Sequence, residues 1–214
     1  MKEAVATVNV SSLSKRDIVI SMTFIGMLFF IFGFVTWVNS ILIPYFKIAC
    51  ELTHFESYLV AFAFYISYLL ISVPSSYLLK KVGFKKGMMI GFWTMSFGAF
   101  VFVLAAYYRA YGIFLAGLFS IGAGLAVLQT AANPYITILG PQERAAQRIS
   151  IMGICNKGAG ILAPLLFAAV IFRPNDSELF RQLSSMSVDA RNLELDNLIR
   201  RVMIPYTVVG SVLL

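Results

Sequence analysis

The chain has 214 residues, 59% of them hydrophobic and only 13% charged, with a mean hydropathy of +0.83. So few charges cannot cover the surface of a water-soluble domain of this length, which excludes that class and leaves a membrane protein. The net charge of +7 is no nucleic-acid footprint, because much of it sits in short connectors between apolar runs, where it sets topology.

Residues 1–17 read as a polar tail. The apolar run that follows is too long for a signal-peptide core and no small-residue cleavage site closes it, so it reads as a retained first helix. Five apolar stretches, at about 18–43, 56–79, 86–107, 111–138 and 147–172, each reach the ~20 residues that a helix needs to cross a bilayer. Residues 18–172 are therefore expected to form five transmembrane helices. Residues 173–200 form a long extracytoplasmic connector of mixed charge, in part helical. The last stretch, 201–214, "RVMIPYTVVGSVLL", falls short of a span and reads as the truncated start of a sixth helix.

Basic residues set the orientation. Lys2, Lys15, Arg16, Lys80, Lys81, Lys85, Lys86, Arg144 and Arg148 lie on one side, against Lys47 and Arg109 in the short connectors opposite. That bias places the N-terminus in the cytoplasm, in the inner membrane of the cell. All ten carboxylates lie in the tail, in the connectors or, for Glu56, at the very first position of a span. Cys50 and Cys155 match no metal or redox spacing and read as packing residues, and His54 reads as a surface residue in a polar connector.

Within the spans, small residues recur at close-packing intervals: Ser120 and Gly124, Gly122 and Ala126, Gly153 and Gly160. They read as helix-packing positions. The larger polar groups are harder to assign to packing. The first span carries Thr36, Trp37, Asn39 and Ser40. In the second, Tyr65, Tyr68 and Ser72 follow one helical face. Gln129, Asn133 and Thr137 stand four apart in the fourth, and Asn156 and Lys157 sit near the middle of the fifth. A lone amide in a span is more often glue between helices; four spans each presenting such a face point to a shared aqueous cavity. Hydroxyls, amides and aromatic rings suit a neutral polyol. Lys157 is too central to snorkel easily, so it faces a cavity, a coupling or substrate role, or a partner such as backbone carbonyls. Pro134 removes a backbone donor and loosens the bond to the Thr130 carbonyl. Such a kink serves a helix that flexes around substrate, or is a static bend.

"FGFVTWVNSILIPYFK", "AFYISYLLISVPSSYLLKKVGFKKG", "LQTAANPYITILGP" and "RISIMGICNKGAGILAPLLF", in this order, resemble the N-terminal half of the fucose–galactose–glucose–hexosamine:cation symporter branch of the major facilitator superfamily. The resemblance covers about residues 24–172. It implies an all-α membrane protein, the N-terminal six-helix bundle (five full spans plus a truncated sixth) of a twelve-helix fold with alternating access to a central sugar site. It implies a monosaccharide as substrate, the lipid bilayer and a missing C-terminal half as partners, and no nucleic acid. No cofactor or metal is expected beyond a coupling proton or sodium ion.

The residues and the resemblance together give Asn39, Ser40, Tyr65, Tyr68, Gln129, Asn133 and Asn156 as candidates for substrate binding, and Lys157, Lys80, Gly83 and Pro134 for coupling or gating. The basic connector resembles the superfamily's cytoplasmic loop between the second and third helices, with Ser76 as the small residue, Gly83 as the glycine, and Lys80 where many members have Asp. Where the fucose symporters carry an Asp and a Glu, this chain has Ser40 and Gln129, neither of which titrates; the Asn matches at Asn156. "NKGAG" with "SILIP" is closer to the hexose and N-acetylglucosamine permeases. Two alternatives accompany this reading. One is a non-transporting fragment or homodimerising half-transporter; the other is an intramembrane enzyme, which would need a nucleophile, metal cluster or carboxylate pair in the spans.

Overall fold

The computed structural model describes residues 14–139, 141–183 and 185–214, with the side chains of 15 and 39–46 outside that description. Among the described residues seven α-helices follow in order: α1 (Lys15–Ala49), α2 (His54–Tyr108), α3 (Tyr111–Ile138), α4 (Ala145–Ile171), α5 (Asp176–Gln182), α6 (Val188–Arg201) and α7 (Met203–Val212). Helix is the expected response of so apolar a chain, because backbone groups in lipid must be satisfied within their own segment. Among the described residues, α1, α2, α3 and the stretch containing α4 are each long and apolar enough to cross a membrane.

The 55-residue α2 holds two of the expected spans, and Gly83 divides it. Its φ of 78° and ψ of 169° interrupt the helix, a conformation that a Cβ disfavours and glycine adopts freely. A Cβ there would meet nothing within 4 Å, so the demand is on the backbone alone. Gly83→Ala is accordingly expected to cost about 1–2 kcal/mol, read as a lowered unfolding midpoint in nanodiscs. An unchanged midpoint would show that the turn does not need glycine.

Local chemistry also sets the ends of α2. Thr53 Oγ1 accepts from the Glu56 backbone N–H at 3.2 Å, while the Glu56 carboxylate accepts from the Thr53 N–H at 2.8 Å. This reciprocal pair satisfies two orphan donors and places Glu56, at the edge of the second expected span, as a cap. At the other end Arg109 takes the left-handed region (φ 48°). Its guanidinium then donates to Asp196 at 3.2 Å and to the Ala49 carbonyl at 3.3 Å, contacts that hold the strained residue in place. Beside it, burial pushes the Cys50 thiol up to about 11, with Arg109 pulling the other way, in keeping with a packing role.

Helix α3 is the centre of the bundle. Residues 121–128 are buried without interruption, because the helix packs along both arms of α2. Helix α1 pairs with α4, and α7 lies on the second arm of α2. There the Ser96 hydroxyl donates to the Gly210 carbonyl at 2.6 Å and Tyr206 stacks on Phe102 at 4.0 Å between centroids. The partly helical connector appears as α5 and α6. Leu195, Leu198 and Ile199 of α6 join the main apolar core. Arg201 bridges to the buried Asp176 at 2.7 Å, and Arg191 pairs with Glu51.

Candidate functional site

Polar residues of α3 and α4 converge on an open cleft of about 670 Å³, lined by Phe29, Gln129, Asn133, Ser150, Gly153, Ile154, Asn156, Lys157, Gly158 and Ile161. Gln129 and Asn133 stand one helical turn apart on the same face of α3. On α4, residues 150, 154, 157 and 161 follow the i, i+4, i+7, i+11 period of a single helical face. Phe29 is the contribution of α1.

The Asn156 amide is held in place by its Nδ2, which donates to the Phe29 carbonyl at 3.2 Å. Lys157 places its Nζ 5.3 Å from the ring centre of Trp37 on α1, a cation–π contact of about 0.5–1 kcal/mol at an exposed site. No carboxylate lines the cleft among the described residues, so its only formal charge there is this ammonium. A cavity of amides, one hydroxyl, an aromatic ring and one cation can hydrogen-bond a polyhydroxylated molecule without taking up a proton.

The structure therefore brings together Gln129, Asn133, Asn156 and Lys157 of the expected site. Asn39 and Ser40 lie outside the described side chains. Tyr65 is largely exposed and Tyr68 packs against the core, T-shaped against Phe64 at 5.9 Å. Neither tyrosine lines this cleft. Thr137 leaves the polar stripe: its hydroxyl donates to the Pro134 carbonyl at 2.6 Å. Helix α3 continues through the exposed Pro134 to Ile138.

Lys80 and Gly83 sit at the turn between the arms of α2, away from the lining residues, with Lys80 Nζ 5.6 Å from the Tyr77 ring centre. That turn touches α3 through Phe84 and Tyr135, 6.2 Å between centroids, one residue beyond Pro134. Of the glycines assigned to packing, Gly153 faces the cleft and a Cβ on it would meet nothing within 4 Å. Ser150, a lining residue not anticipated, was detectable from its spacing to Lys157.

Residues 25–174 match the model of the Major Facilitator Superfamily. The chain belongs to that superfamily. It is a multi-pass membrane protein, and its helices are the N-terminal bundle expected from the sequence. A glucose/galactose transporter of Brucella abortus biovar 1 is 37% identical over 158 residues, 74% of this chain and 38% of that protein. The L-fucose-proton symporter of Escherichia coli strain K12 is 32% identical over 200 residues, 94% of this chain and 46% of that protein. A crystal structure of the superfamily transporter FucP in the outward conformation superimposes with a TM-score of 0.78 at 32% identity, over 92% of this chain and 47% of that one. The chain thus spans between 38% and 47% of the length of these relatives, and they are transporters, not enzymes.

Proposed function

We propose that this chain forms one half of a monosaccharide transporter that works by alternating access, with a second six-helix bundle completing the site and a cation gradient driving uptake. The supporting observation is the α3–α4 cleft, where Gln129, Asn133 and Asn156 offer amide donors and acceptors to sugar hydroxyls in a chain whose relatives are glucose/galactose and fucose transporters. Hexoses, N-acetylglucosamine and fucose are the substrate candidates. The N-terminus lies in the cytoplasm and the protein in the inner membrane, as the basic residues flanking the spans favour.

Coupling by proton or by sodium is separable by chemistry. Gln129 does not titrate, so a proton, if it is the driving ion, binds elsewhere in the complete protein. Uptake of labelled glucose, galactose, fucose and N-acetylglucosamine into proteoliposomes, using the product of the complete reading frame, tests the proposal. Uptake of at least one sugar, accelerated by a proton or a sodium gradient, is expected. Failure to take up any of the four would overturn the monosaccharide reading, and uptake insensitive to both gradients would overturn symport.

A further inference from the structure

Charge is handled differently at the two ends of the bundle. At one end arginines are paired: Arg109 with Asp196, Arg191 with Glu51, Arg201 with Asp176 and Arg181 with Glu178. At the other, Lys80, Lys81, Lys85 and Lys86 stand close together on the bend of α2, all exposed. Among the described residues none of the four makes an ion pair, and Asp17 and Glu143, the carboxylates described at this end, bridge to none of them. The sequence from 57 to 142 contains no Asp or Glu, so neither arm of α2 beyond its cap, nor α3, supplies a counter-charge. Lys80 rests over the ring of Tyr77, which is itself exposed.

The fold keeps these lysines together. Gly83 turns the chain between the arms of α2, and a Cβ on Gly87 of the second arm would strike the Leu79 side chain of the first. The bend is thereby closed, with one pair of lysines on each side of Gly83. Phe84 at its tip meets Tyr135 of α3, which braces the bend against the bundle. It also joins the ends of two spans, at the boundary between hydrocarbon and water, where lysine stems lie along apolar surface and ammonium groups reach the headgroups. Like charges held this close repel one another, and an anionic surface relieves the repulsion.

We propose that the bend around Gly83 is a docking surface for anionic phospholipid headgroups, whose phosphate oxygens accept hydrogen bonds from the four ammonium groups. By the orientation proposed above these lipids belong to the cytoplasmic leaflet. The inference rests on the membrane placement of the chain and not on the identity of its sugar.

The test uses the product of the complete reading frame in nanodiscs. Emission of Tyr77→Trp minus that of the parent isolates a tryptophan on the bend, and brominated phosphatidylglycerol or brominated phosphatidylcholine is used to quench it. Phosphatidylglycerol is expected to reach half-quenching at a lipid fraction about fivefold lower for each lysine engaged. The ratio should fall close to one in Lys80→Gln/Lys81→Gln/Lys85→Gln/Lys86→Gln and persist when the same four residues become arginine. Raised ionic strength should shrink it without any substitution, which decides the matter if the glutamine variant fails to fold. Equal quenching by the two lipids would leave the lysines as a topology signal and overturn the docking surface, as would a preference that survives both the glutamine variant and raised salt. A preference abolished by inorganic phosphate at matched ionic strength would assign the lysines to a soluble anion, and that too would overturn it.

Discussion

Replacing Arg148 by methionine is expected to destabilise the bundle by about 3 kcal/mol, as suits a buried guanidinium bonded to several carbonyls. The side chain is 6% exposed. From the first turn of α4 it reaches back to the end of α3, where Nε donates to the Ile136 carbonyl at 3.0 Å, one terminal nitrogen to Thr137 at 2.9 Å and the other to Pro141 at 2.9 Å. The last carbonyls of a helix have no partner within it, and a positive charge at that end also meets the negative pole of the helix. Ile25, Ile136, Leu139 and Met152 pack together in the same region, so water does not readily replace the guanidinium. Arg148→Lys keeps the charge but lacks the planar fork that spans three acceptors, and about half of the loss is expected to return. Thermal unfolding in nanodiscs, followed by circular dichroism, reads both variants. A methionine variant as stable as the parent would remove Arg148 from this role.

Arg148 also marks the limit of what the sequence conveyed. Charge counting treats it as one more basic residue of a connector, because nothing in "GPQERAAQR" reveals that one arginine of the two turns inward. The spans were legible because hydropathy and length are properties of a segment taken alone. Gly83 was legible as a special position, but not that its φ would be positive, since that depends on the direction in which the second arm of α2 leaves. For the site, the period of 3.6 residues carried Gln129 to Asn133 along α3, while Asn156 and Lys157 stood out as polar groups near the middle of an apolar span. Two polar stripes read separately do not say that they face one another. Tyr65 and Tyr68 have the right spacing on α2, yet that face turns partly outward and partly into the core, away from the α3–α4 cleft. Thr137 continued the stripe in sequence, but its hydroxyl found a carbonyl on its own helix one turn back. Trp37 was visible as an aromatic beside Asn39, whereas its packing against Gly160 of α4 is a relation between two helices that no single segment contains.

The largest effect is expected where α3 crosses the second arm of α2. A Cβ on Gly98 would lie 2.8 Å from both the Gly117 carbonyl oxygen and the Ile121 nitrogen, and one on Gly124 would lie 2.6 Å from the Gly91 carbonyl oxygen and 2.8 Å from the Met95 nitrogen. These neighbours are backbone, so no side chain can rotate aside and the helices themselves must separate. Close approach of this kind is what holds membrane helices together where lipid is as apolar as leucine. Gly98→Val and Gly124→Val are each expected to cost about 3 kcal/mol or more through overpacking. Each should lower the yield of folded protein and the unfolding midpoint together. Gly153→Ala is the matched control: its Cβ meets nothing within 4 Å, and exchanging glycine for alanine within a helix favours the helix by up to about 1 kcal/mol. It should leave the bundle as stable as the parent or more so. Because Gly124 lies five residues before Gln129 on the same helix, a shift of α3 away from α2 would also move Gln129 and Asn133 relative to Asn156. Loss of sugar binding is therefore expected to accompany the loss of stability in Gly124→Val. A Gly124→Val protein with the parent's unfolding midpoint would mean that α2 and α3 do not pack backbone to backbone in the membrane.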